Sequence, residues 1–363
     1  IFDYDTWLTN AVDSPFYRFL WLMGDSTEPH FHKTVFGGIG VLIGSIIAYI
    51  LDKKESKHKG FPISYGTGKW PYIFTASFIS LSISVLLFGG LRVGNDAWVP
   101  TFVPYVSVAA AIVLMYGCDF RTIVTGAIFG AIFTTPITMF LRYEICLPLK
   151  LPGVIASVSG MWIGGIIVFE LCNSLPWMHK EVVSDLQESQ VDDEVAVTIN
   201  PDKNTSSFFI RRILADYSEP MFVGNEIAGL CLIVGSILTW ILSPMQPYYG
   251  TGWFPALILC QLLTGSISVF VYWEKWMESD FYPTFVPVVS VAPAMVLQYG
   301  PSMPIIIISA ILGALVCPPI AEYVNSKIPP HWHGMIGFTF SMAFVSFGVN
   351  ELIRYLSMVL PLI

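Results

Sequence analysis

The pentapeptide Pro-Thr-Phe-Val-Pro occurs twice in this chain, at 100–104 and again at 283–287. The match continues through Ser107-Val108-Ala109 and Ser290-Val291-Ala292 to Tyr116-Gly117 and Tyr299-Gly300. Upstream, Tyr65-Gly66-Thr67-Gly68 recurs as Tyr249-Gly250-Thr251-Gly252. Asp25-Ser26-Thr27-Glu28-Pro29 aligns with Asp216-Tyr217-Ser218-Glu219-Pro220. Downstream, Gly153, Met161 and Glu170-Leu171 align with Gly334, Met342 and Glu351-Leu352. Apolar composition alone does not produce a shared order of Pro, Gly, Tyr and acidic positions, so the chain is an internal duplication. The offset is 191 residues at Gly44 and Gly235 but 184 at Tyr65 and Tyr249, because a basic insertion at 53–59 belongs to the first copy only. Whatever fold suits the first copy must also suit the second.

Of the 363 residues, 54% are hydrophobic and 12% charged, against about 25% charged in a soluble domain. Ten apolar runs approach the roughly 20 residues that a helix needs to cross a bilayer: 35–51, 70–90, 99–116, 122–141, 153–173, 223–242, 253–273, 284–300, 304–321 and 334–353. Lipid offers no partner to an open backbone hydrogen bond, so these runs are expected as helices. The expected fold is an all-α polytopic membrane protein, with about ten transmembrane helices in two homologous five-helix halves. The first membrane repeat covers 1–177 and the second 208–363. Between them, 178–207 is hydrophilic and holds Glu181, Asp185, Glu188, Asp192, Asp193 and Glu194, the composition of a solvated linker. The segment 208–214 reads as a helix lying along the interface.

An odd number of spans per half places the second half upside down relative to the first, the inverted-repeat plan of many secondary transporters. Alternating loops hold twelve and six Lys and Arg residues. This puts 52–69 and the linker in the cytoplasm and both ends of the chain outside. The chain starts at Ile1 without the basic start of a signal peptide, and a further N-terminal segment is expected. The expected location is the cell membrane, as a multi-pass protein of the bacterial plasma membrane.

No basic patch with interleaved aromatics exists, which argues against nucleic acid. The six cysteines form no CxxC pair and read as small buried apolar residues. His30-Phe31-His32 and His331-Trp332-His333 have the HxH form. They are expected on opposite faces without further ligands, so no metal or cofactor is expected. The partners expected are the lipid bilayer and a small-molecule or ion substrate, and a homo-oligomer is compatible with such a chain.

The third span of each half is where a site is expected. Two prolines four residues apart favour a broken or late-starting helix, and a helix N-terminus inside the membrane presents unpaired N–H groups. Thr101, Ser107, Thr284 and Ser290 supply hydroxyls there, and Gln298 stands where the first half has Met115; these five are the candidate substrate-binding residues. Pro136 and Pro318-Pro319 are expected to interrupt the fourth spans. Ionisable groups at membrane depth are costly and often functional, which marks Glu170 and Glu351, at matched places late in the fifth spans, for coupling. The repeated acidic motif adds Asp25, Glu28, Asp216 and Glu219 for coupling or gating, with Thr27 and Ser218 as caps of the helix that follows. The function expected is a membrane transporter of a small polar or anionic solute, working by alternating access rather than as an enzyme. A passive channel shares the architecture but needs no coupling carboxylate. An intramembrane enzyme on a lipid-linked substrate would need one site rather than the same motif twice. A structural membrane subunit would not need paired broken helices.

Overall fold

A computed structural model describes residues 3–91, 98–178 and 206–359. All regular structure among them is helical. Two short helices, α1 (Tyr4–Asn10) and α2 (Pro15–Asp25), lead into α3 (Val35–Lys53), α4 (Trp70–Phe88), α5 (Val108–Tyr116), α6 (Phe120–Cys146) and α7 (Gly153–Ser174). The second copy begins with α8 (Ser206–Asp216). It continues as α9 (Glu226–Leu242), α10 (Phe254–Val271), the short α11 (Trp273–Glu278), α12 (Val291–Tyr299), α13 (Met303–Asn325) and α14 (Met335–Val359). The acidic linker lies largely outside the described residues.

Seven of these helices (α3, α4, α6, α7, α10, α13 and α14) are long and apolar enough to cross a membrane, and three shorter apolar helices accompany them. The chain is thus a multi-pass helical membrane protein by its described structure. The apolar runs of the sequence and the helices agree to within a few residues, except at the fourth and third spans and at the end of α14, which runs on to Val359. Pro136 does not interrupt α6. The helix passes through π-helical turns at Gly130–Thr134 and Leu141–Cys146, and the wider turn before Pro136 accommodates its missing donor. In α13, Pro318 and Pro319 sit inside an unbroken helix. The third spans are broken as expected, but not at the prolines. A 3₁₀ turn at Val103–Val106 stops at Ser107 (φ −141°, ψ −110°) before α5 begins. The second copy repeats this at Val286–Val289 and Ser290. With nine residues each, α5 and α12 are about 13 Å long, under half of a bilayer core.

The two copies meet most closely along α3 and α9. A Cβ on Gly40 would lie 2.3 Å from the Cys231 carbonyl oxygen. One on Gly44 would lie 2.8 Å from Ala228 Cα, and one on Gly235 would lie 2.1 Å from the Phe36 carbonyl oxygen. Numbers rise along one helix as they fall along the other, so the pair is antiparallel. Small residues let the backbones touch, as membrane helix contacts require. The outer faces carry exposed Ile43, Ile47, Val234 and Ile241, as suits a surface turned to lipid.

Three backbone hydrogen bonds also cross between the copies among the described residues. Tyr4 N donates to Met245 O at 3.1 Å, and two more form a matched pair. Ser64 N donates to Val223 O at 2.9 Å, and Tyr248 N donates to His32 O at 2.9 Å. Under the repeat alignment these are the same bond made twice.

Candidate functional site

Each copy folds its acidic motif into a tight turn. Glu28–His30 and Glu219–Met221 are single 3₁₀ turns, closed by Phe31 and Phe222 in the left-handed region at φ 62° and 59°. Thr27 and Ser218 do not cap these turns. Instead Thr27 Oγ1 accepts from Thr34 N at 2.9 Å, and Ser218 Oγ accepts from Asn225 N at 2.8 Å. The hydroxyl therefore pins the turn to the start of α3 or α9. The Glu28 turn then packs on Val286–Val289 of the second copy, and the Glu219 turn on Val103–Val106 of the first.

This crosswise packing leaves a cavity of about 430 Å³ between the copies. Its wall is built largely from matched pairs: Glu28 and Glu219, Phe31 and Phe222, Tyr65 and Tyr249, Phe102 and Phe285, Val106 and Val289, Met161 and Met342. Val106 and Val289 stand just ahead of α5 and α12, so the cavity touches the N-terminal ends of both half-length helices. Charge in the wall comes from Glu28, Glu219 and Arg142. The Arg142 guanidinium lies 5.1 Å from the Trp98 ring centroid.

Behind the wall, each motif is a buried ionic triad. In the first copy the Lys33 ammonium bridges Asp25 and Glu28, with 2.5 Å to Glu28 Oε2. Thr101 Oγ1 donates to Asp25 Oδ2 at 2.6 Å, and Trp98 Nε1 donates to Glu28 Oε1. Lys33 Nζ sits 3.6 Å from the Trp21 ring centroid. In the second copy the cation is Arg212, which reaches Asp216 Oδ1 at 2.8 Å and Glu219 Oε2 at 3.0 Å, with the Trp276 ring 4.6 Å away.

The carboxylates occupy matched positions but the cations do not. Lys33 aligns with Gly224, and Arg212 aligns with Trp21. Position 33 has φ 50° and position 224 has φ 65°, a region where glycine is comfortable and other residues are strained by about 1–3 kcal/mol. A Cβ on Gly224 would lie 2.6 Å from Glu219 Oε2. The first copy accepts the strain because the side chain at 33 brings the charge. The second brings its charge from α8 and keeps the glycine.

Asp216 Oδ2, Glu219 Oε1 and Thr284 Oγ1 have no hydrogen-bond partner among the described residues. Thr284 faces Asp216 and Tyr65 faces Glu219, as Thr101 and Tyr249 face Asp25 and Glu28 in the first copy. Burial raises both aspartates, Asp216 to about 6 against the pull of Arg212 and Asp25 well above the usual carboxylate range against the pull of Lys33.

Of the five candidate substrate-binding residues, Gln298 lines the cavity. Ser107 and Ser290 spend their hydroxyls on the carbonyls of Val103 and Val286, at 2.6 and 2.7 Å. Thr101 and Thr284 belong to the triads. Glu170 and Glu351 lie elsewhere: Glu170 receives His331 and Trp332, each at 2.8 Å, and Glu351 receives Arg354 and Asn350. Both are more than a third exposed. His32 is fully buried, joined to Ser236 and Gln261 at 2.8 and 3.0 Å, and burial brings it down to about 4. No group of three or more His, Cys, Asp or Glu residues suited to a metal occurs among the described residues. The carboxylates stand out in the sequence because they repeat; Lys33, Arg212 and Trp98 do not, because Gly224, Trp21 and Phe281 occupy their matched positions.

The fold is that of a multi-pass helical membrane protein with a polar-tipped cavity at the meeting of its two copies. No family model matches the chain, and no curated protein matches its sequence.

Proposed function

We propose that the chain is a membrane transporter of a small solute, working by alternating access between two inverted halves. The observation that carries this reading is the wall of the cavity, which takes the same positions from both copies. A movement that seals one side then has a matched movement that seals the other. The antiparallel contact of α3 and α9 supports inversion. Gly40 meets its own counterpart there, so the local two-fold axis is perpendicular to the helices and lies in the membrane plane when they span it. Half-length third helices that begin at the cavity fit the same plan.

The lining is mostly aromatic and aliphatic, with two carboxylates against one guanidinium. This favours a solute with a positive or zwitterionic polar end over a bare anion. The location we propose is the bacterial plasma membrane.

Counterflow tests the reading. Proteoliposomes containing the purified chain are given radiolabelled amino acids, amines and carboxylates. The expected result is saturable uptake of one class, accelerated by the same unlabelled solute inside. Uptake that never saturates and ignores the internal solute would sink alternating access and leave a channel.

A further inference from the structure

We propose that Arg142, Ser157 and Gln298 form the pole of the cavity that receives the carboxylate of a zwitterionic solute, with the Arg142 guanidinium as its anchor. The solute class is an α-amino-acid-like head on an apolar body, and this rests on the transporter reading of the cavity. Most of the wall is the same from both copies, and its matched charges are already engaged. Glu28 and Glu219 are 1% and 3% exposed and are held by Lys33 and Arg212. They act on a solute through their field rather than by contact, and that field draws an ammonium end.

The wall residues that break the match differ in kind. Arg142 aligns with Asn325, Ser157 with Phe338 and Gln298 with Met115. All three line the cavity, and all three meet the chain between 150 and 157. A Cβ on Gly153 would lie 2.3 Å from Arg142 Nη1. Ser157 Oγ donates to Gly153 O at 3.3 Å, and Gln298 Nε2 donates to Lys150 O at 3.3 Å; an amide nitrogen has a second N–H to give.

Local structure aims the guanidinium. The offset between the copies falls from 183 at Pro136 to 181 at Gly153, so the first copy holds two more residues there. Part of that insertion falls in the π-helical turn Leu141–Cys146, which contains Arg142. Such turns recur at functional sites, whereas α13 stays α-helical to Asn325. Asn325 keeps the matched place, 3.2 Å from a Cβ on Gly334. Its oxygen accepts from Gly337 N at 3.1 Å, and it stands outside the cavity wall. Arg142 is half-buried and braced by the Trp98 ring. A guanidinium offers a carboxylate two parallel N–H bonds. Phe31, Phe102, Phe222, Phe285, Met161 and Met342 elsewhere in the wall suit an apolar body.

The purified protein is melted in detergent with L-phenylalanine or L-leucine, and with their amides, which keep the body and the ammonium but lose the carboxylate. We expect a saturable rise in melting temperature with at least one acid, at a concentration roughly tenfold or more below that needed of its amide. Arg142→Asn, which carries the second copy's residue, should erase that preference. On the wild type, the arginine reagent phenylglyoxal should modify Arg142, and the acid but not the amide should slow it, read by peptide mass spectrometry. The wild-type measurements stand even if Arg142→Asn folds poorly. No stabilisation by either acid, equal stabilisation by acid and amide, an unchanged preference in a folded Arg142→Asn, or modification that the acid does not slow would each overturn the assignment. Binding in detergent is silent on flux, so its failure leaves alternating access standing, and a failure of counterflow leaves the binding result standing.

Discussion

Gly40 touches Cys231, the residue that occupies its own position in the second copy. The contact joins two antiparallel backbones at matched positions of the sequence repeat. The flanking contacts, Gly44 on Ala228 and Gly235 on Gly37, are likewise matched positions of the repeat.

That contact predicts where bulk is tolerated. Gly235→Leu should force α3 and α9 apart and destabilise by about 3 kcal/mol or more, as overpacking of a tight contact does. A Cβ on Gly348 meets nothing within 4 Å, so Gly348→Ala should be neutral or stabilise α14 by about 0.5–1 kcal/mol. Melting in detergent separates the two, and equal effects would mean that α3 and α9 are not in contact.

The exchanged cations predict a rescue. Lys33→Gly leaves two buried carboxylates without a cation and should destabilise by about 3–5 kcal/mol. Adding Trp21→Arg rebuilds the second-copy arrangement in the first and should recover much of that loss. A double variant no better than Lys33→Gly would show that the two copies do not share one geometry.

Much of this was legible in the sequence, and the boundary is physical. Span limits were visible because lipid demands apolar runs and Pro and Gly punctuate them. The carboxylates of the triads stood out by repetition. Their cations could not, since aligning Lys33 with Gly224 and Arg212 with Trp21 makes both look like divergence. The break in the third span was read from Pro100 and Pro104, yet it falls at Ser107, after a 3₁₀ turn that no local signal announced. The cavity wall draws on residues far apart in the chain and needed the packing.

The raised Asp216 carboxyl predicts a pH dependence with a definite sign. Folded, the group titrates at about 6; its ordinary value is 3.8. The folded chain therefore holds an extra proton between those values. Its contribution to stability is fully present below about pH 4 and is lost as pH rises through about 6. The melting temperature of the wild type minus that of Asp216→Asn should fall across this window. A flat difference would mean that Asp216 is ionised throughout.

Sidedness is best read at exposed loops, because Thr27 and Ser218 are fully buried. In a chain stripped of its six cysteines, His58→Cys and Met245→Cys mark corresponding loops after α3 and α9, both exposed. An impermeant thiol reagent on intact cells should label only Met245→Cys. Labelling of both from one side would place the copies parallel.

Glu170→Gln and Glu351→Gln should leave any solute uptake within about twofold of wild type, since both side chains are paired away from the cavity and exposed pairs contribute little. Loss of uptake in either would move the coupling site to the ends of α7 and α14.

The twin bonds from Ser64 to Val223 and from Tyr248 to His32 also bear on how this protein is made. During synthesis the first copy leaves the ribosome with its Ser64 amide and His32 carbonyl waiting for partners not yet translated. Both partners exist only once the chain has passed α9. A chain cut between the copies should therefore assemble only when both pieces are expressed together, each acting as the other's folding template.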